Sequence, residues 1–75
     1  MNTAVIWGKI DCPNCDKAKL LLEKNNFDVV EKKLNVDFTL EEIRALIPNV
    51  RAVPQVFIND ELIGDYTSLV KYLSE

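Results

Sequence analysis

Seventy-five residues are enough for one small domain with a single core, and an apolar share of 48% excludes a disordered chain. A formal net charge of −3 argues against a general nucleic-acid binder. No apolar run approaches the roughly 20 residues that cross a bilayer, so a membrane partner is not expected either.

Met1-Asn2-Thr3 leads directly into an apolar segment with no basic stretch before it, so a cytoplasmic chain is the expectation. Thr3 to Trp7 is nearly continuous in β-favouring residues, the pattern of a strand buried on both faces. Gly8 ends it and Lys9-Ile10-Asp11 forms a short loop. A helix is predicted from Pro13, whose missing N–H has no partner at a first helical position anyway. It places Ala18, Leu21, Leu22 and Asn25 on one side and stops at Asn25-Asn26. Phe27 to Val36 reads as an outer strand with Val30 and Leu34 on one face and Lys32 as a blemish among them.

Thr39-Leu40-Glu41-Glu42 is a capping box, opening a helix that turns Leu40, Ile43, Leu46 and Ile47 inward and ends before Pro48. Gln55 to Ile58 is a third strand, Asn59-Asp60 a hairpin turn and Leu62-Ile63 a short fourth strand broken by Gly64. Asp65 or Thr67 caps a last helix that buries Leu69, Tyr72 and Leu73. The order β-α-β-α-β-β-α predicts an α/β domain spanning residues 1–75. In it, a mixed four-stranded sheet is covered by three helices, with a right-handed crossover between the first two strands.

The chemistry sits in Cys12-Pro13-Asn14-Cys15, which holds the only two cysteines, between the first strand and the first helix. Unpartnered N–H groups at a helix start can hold a thiolate, and a second thiol one turn on lies on the same face, able to close a disulfide with it. That points to a thiol–disulfide oxidoreductase. A pair of core thiols is the bland alternative. Zinc needs four ligands, and with no histidine and no third cysteine it would take a dimer or carboxylates.

The Cys-x-x-Cys at this junction, with this element order, resembles the minimal thioredoxin fold, and the details resemble the glutaredoxins. Lys9 stands three residues before Cys12; Cys-Pro-x-Cys is the dithiol signature of that family. Ala52-Val53-Pro54-Gln55-Val56-Phe57-Ile58 is similar to its Thr-Val-Pro segment, and Ile63-Gly64-Asp65-Tyr66 to its Gly-Gly turn. Three residues depart from the pattern: Asn14 stands for an aromatic, Ala52 for threonine and Asp65 for glycine. The first removes a wall of the thiol site. The second leaves backbone contacts intact. The third either pairs with a ligand ammonium or caps the helix.

The resemblance implies Cys12 as nucleophile and Cys15 as the thiol that resolves its mixed disulfides. It implies a cis Val53-Pro54 bond beside them, and glutathione as reducing co-substrate with no metal. Pro13 and Asn14 would flank the thiols. Lys9 and Arg51, with Arg44 less securely, would meet the glycyl carboxylate, and Asp65, Tyr66 and Thr67 the γ-glutamyl end. Implied partners of the monomer are disulfide-containing or glutathionylated proteins, ribonucleotide reductase among them. Two rival readings stay open: a redoxin fed by thioredoxin reductase, and a dimer holding a [2Fe–2S] cluster between two Cys12 thiolates and two glutathiones.

Overall fold

The computed structural model describes residues 2–74, and within them the elements follow in the expected order. They are β1 (Thr3–Gly8), α1 (Pro13–Lys24), β2 (Asp28–Lys33), α2 (Leu40–Leu46), β3 (Gln55–Ile58), β4 (Glu61–Gly64) and α3 (Tyr66–Ser74). The sheet runs β2-β1-β3-β4, with β1 and β2 parallel and the other two pairings antiparallel. This is the mixed four-stranded sheet of the minimal thioredoxin fold, with β2 an outer strand as expected.

Local chemistry explains most of the boundaries. Pro13 opens α1, and Asn25 closes it, donating its side-chain amide to the Leu21 carbonyl (2.8 Å). Asn26 then turns left-handed (φ 66°). The capping box of α2 is complete. Glu42 N–H donates to Thr39 Oγ1 (3.2 Å), and the Glu42 carboxylate accepts from Thr39 N–H (3.0 Å). Asn59 and Asp60 both take positive φ (49° and 69°), the pattern of a two-residue hairpin turn.

One face of the sheet carries the core. Ala4, Ile6, Val56 and Ile58 meet Ala18 and Leu22 of α1 and Leu69 of α3, all fully or almost fully buried. Each large member contributes about 1.5–3 kcal/mol through burial. The other face is thinner than the sequence implied. There α2 brings Leu46 beside Val5, Trp7 and Phe57, and that helix buries Ile43 alone, which lines a cleft with the buried Phe38. Leu40 and Leu46, expected inward, are 44% and 54% exposed because seven residues give a single inward turn. β1 is therefore buried on one face only. Val5, Trp7, Lys32, Leu46, Phe57 and Asp60 surround an open depression of about 320 Å³ on the other.

Three further expectations change. β2 ends at Lys33 rather than reaching Val36, because Asn35 turns left-handed (φ 64°) and Asp37 folds back, its carboxylate accepting from Lys33 N–H (2.9 Å). Val29 rather than Val30 packs on the core, while Lys32 lays its ammonium over the Trp7 ring, 4.4 Å from the centroid. In α3, Leu69 and Leu73 face inward with Tyr66, and Tyr72 is left 45% exposed.

Candidate functional site

Cys12 is the N-cap of α1, in extended conformation, and Cys15 is the third helical residue. Their Cα atoms are 5.2 Å apart and their sulfurs are joined as a disulfide. The Cys15 N–H donates to Cys12 Sγ (3.1 Å), so the helix start already directs an amide hydrogen at that sulfur. Cys12 is 6% exposed and Cys15 1%, so Cys12 is the less deeply buried of the two residues. Pro13 and Asn14 stand exposed beside it on the first turn. Asp11, one residue before, takes a left-handed φ of 57° that brings the loop into the helix.

Pro54 follows a cis peptide bond after Val53, as the resemblance implied, and is buried at the start of β3. Ladder pairing between β1 and β3 begins at Gln55, opposite Trp7, so Val53 lies beyond its end. Gln55 holds this segment by donating its side-chain amide to the Ala52 carbonyl (2.9 Å). That brace was not foreseen. Its one trace in the sequence is a polar residue opening an otherwise apolar strand.

Next to this segment runs a cleft of about 260 Å³ lined by Lys9, Leu34, Phe38, Leu40, Ile43, Arg44, Val50, Arg51, Ala52 and Val53. Lys9, Arg51 and Arg44 thus line one cleft, and among the described residues no acidic side chain lines it. In a chain of net charge −3 this is a local reversal of sign, suited to an anionic ligand on an apolar floor. Neither cysteine lines the cleft; Lys9 lines it and precedes Cys12 by three residues along the chain.

Asp65, Tyr66 and Thr67 lie at the start of α3. Asp65 caps that helix: its carboxylate accepts from Ser68 N–H (2.9 Å) and its carbonyl from Leu69 N–H (2.9 Å). The Ser68 N–H, followed by the Ser68 hydroxyl, holds the Asp65 carboxyl below the usual carboxylate range. Tyr66 packs against the core, and Thr67 is exposed. Gly64 precedes them at φ 121°, and a Cβ there would stand 3.0 Å from Ser68, so this turn admits glycine only.

Gly8 has a role the sequence concealed, where it reads only as the end of a strand. A Cβ at position 8 would stand 2.7 Å from Cys15 Sγ. Trp7, at the end of a strand expected to be buried on both faces, instead lines the open second face, edge-on to Phe38 (4.8 Å between centroids). No group of three or more potential metal-binding side chains occurs among the described residues.

Residues 4–63 match the family model described as Glutaredoxin. The chain is 38% identical over 68 residues to Glutaredoxin 1 of Rickettsia typhi, covering 85% of this chain and 64% of that one. It thus spans just under two thirds of that relative's length. The structure of oxidised Escherichia coli glutaredoxin superimposes with a TM-score of 0.80 at 29% identity, over 97% of this chain and 94% of that one. A buckwheat glutaredoxin–glutathione complex does so at 0.72 and 26% identity, over 97% and 69%. With the family model spanning most of the chain and the fold agreeing from end to end, this protein belongs to the glutaredoxin family.

Proposed function

We propose that the protein is a glutathione-dependent thiol–disulfide oxidoreductase that reduces protein disulfides and glutathione mixed disulfides. The observation that carries this reading is the Cys12–Cys15 pair at the start of α1, with the Cys15 N–H directed at Cys12 Sγ. In the reduced protein the Cys12 sulfur is held as thiolate by that N–H and the helix start. It attacks a disulfide sulfur of the substrate, and the first substrate thiolate leaves and takes up a proton. Cys15 then attacks the mixed disulfide, forms the Cys12–Cys15 bond and releases the second substrate thiol. Val53 orients an extended substrate beside the sulfurs through backbone groups outside the ladder.

Glutathione enters this reading through the cationic cleft. Its glycyl carboxylate suits Lys9 and Arg51, with Arg44 on the same wall. A related buckwheat protein is described as a complex with glutathione, which supports the assignment. The α3 end carries less of it, because the Asp65 carboxylate already occupies donors there and Tyr66 is drawn into the core. Within this reading the protein works as a cytoplasmic monomer. Ribonucleotide reductase is its proposed acceptor on the family resemblance alone.

Turnover of a small disulfide with glutathione and glutathione reductase, set against thioredoxin reductase, tests the proposal. Efficient turnover with glutathione supports it. Turnover with thioredoxin reductase alone replaces it by the redoxin reading. Visible absorption after anaerobic iron–sulfur reconstitution, with no turnover from either reductant, replaces it by the cluster-holding dimer.

A further inference from the structure

Gly8 ends β1 opposite Lys33, its carbonyl accepting from Leu34 N–H (2.8 Å), so its backbone is pinned. Its φ lies outside the left-handed region, so backbone conformation does not demand glycine at this place. Space does. A Cβ there would stand 2.7 Å from Cys15 Sγ and 3.3 Å from Cys15 Cβ, against an ordinary separation of about 3.5–4.0 Å between carbon atoms. Cys15 has little freedom to retreat, because it belongs to a helix anchored by the fully buried Ala18 and Leu22.

We propose that Gly8 is a positioning residue for the resolving thiol: the side chain it lacks is the seat of Cys15 Sγ when that sulfur bonds to Cys12. The inference rests on the oxidoreductase reading above. In the step concerned, the Cys15 thiolate, its proton already given to solvent, attacks Cys12 Sγ of the mixed disulfide. The Cys12–Cys15 bond forms and the Cys12–substrate bond breaks. The substrate sulfur leaves with the electron pair and takes up a proton. The cysteine pair has then lost two electrons and the substrate disulfide has gained them. A methyl group at position 8 pushes Sγ off its place and opposes formation of that bond. It leaves untouched the steps that need Cys12 alone, in which a glutathione mixed disulfide is released by a second glutathione.

The test compares the wild-type chain with Gly8→Ala and with Leu69→Val, a core truncation away from the sulfurs. Turnover is measured on a protein disulfide and on a glutathionylated peptide, and the thiol–disulfide equilibrium is measured in glutathione redox buffers. Gly8→Ala is expected to lose about tenfold on the protein disulfide and to keep wild-type turnover on the glutathionylated peptide. Its oxidation constant is expected to fall about tenfold, or ~30 mV toward the oxidising side for this two-electron couple. Leu69→Val is expected to leave both the ratio of activities and the equilibrium unchanged.

A Gly8→Ala protein with the wild-type ratio and equilibrium overturns the proposal. If Gly8→Ala does not fold, the double variant Gly8→Ala/Cys15→Ala decides. Recovery of the fold on removing the sulfur supports the assignment, and continued failure overturns it. Wild-type protein inactive on both substrates defeats the oxidoreductase reading instead, and the equilibrium, read without turnover, still decides the role of Gly8.

Discussion

The amide nitrogen of Cys15 lies 3.1 Å from Cys12 Sγ, so the residue proposed to resolve the mixed disulfide also supplies a hydrogen to the sulfur proposed to start it. The donor is a backbone N–H, so the relationship is expected to survive replacement of the Cys15 side chain. In a Cys15→Ser protein the thiolate absorbance of Cys12 is therefore expected to persist on acidification to well below the ordinary cysteine value of about 8.5. A titration with that ordinary midpoint would show that the helix start does not hold the charge.

The same substitution separates two activities. Cys15→Ser is expected to keep turnover on glutathionylated substrates, where Cys12 is proposed to act alone, and to lose at least about 100-fold on disulfides that need both sulfurs. Cys12→Ser is expected to abolish both. Loss of both activities in Cys15→Ser would remove the division of labour between the two thiols.

The cationic cleft predicts a charge effect on glutathione. Lys9→Gln and Arg51→Gln are each expected to raise the KM for glutathione about three- to tenfold with kcat little changed, as loss of a charge-assisted hydrogen bond in a solvated cleft requires. Arg44→Gln gives a smaller rise. The effect shrinks as salt is added, and measurements at low and high ionic strength check it.

Asp65 makes stability depend on pH with a definite sign. Its folded pKa is lowered, so the cap's contribution is full above the unfolded value near ~3.9 and is lost as pH falls through the lower folded value. Asp65→Ala is expected to cost about 1 kcal/mol at pH 7 and much less at pH 2. Urea unfolding at the two pH values measures the difference.

Much of this fold was legible because its signals are local. Pro13 after Cys12, the capping box from Thr39 to Glu42 and the Asn59-Asp60 turn each set their own boundary whatever surrounds them. What escaped depended on distant chain. Whether Leu40 and Leu46 face inward is decided by how little of the sheet a seven-residue helix can cover. Lys32 looked misplaced until Trp7, on the neighbouring strand, supplied its partner. Cys12, Cys15 and the proline segment were read from their order along the chain. By contrast, the need for glycine at position 8 exists only once α1 folds back and sets Cys15 Sγ against it.

The unequal covering of the two faces of the sheet has a kinetic consequence. α2, one wall of the cationic cleft, is anchored by Ile43 alone, whereas α1 and β1 share the buried core. Amide hydrogens of α2 should therefore exchange with solvent through small local openings, and those of α1 and β1 only when the whole domain opens. An anion seated in the cleft leans on the least anchored helix of the molecule, so its arrival should slow exchange there first.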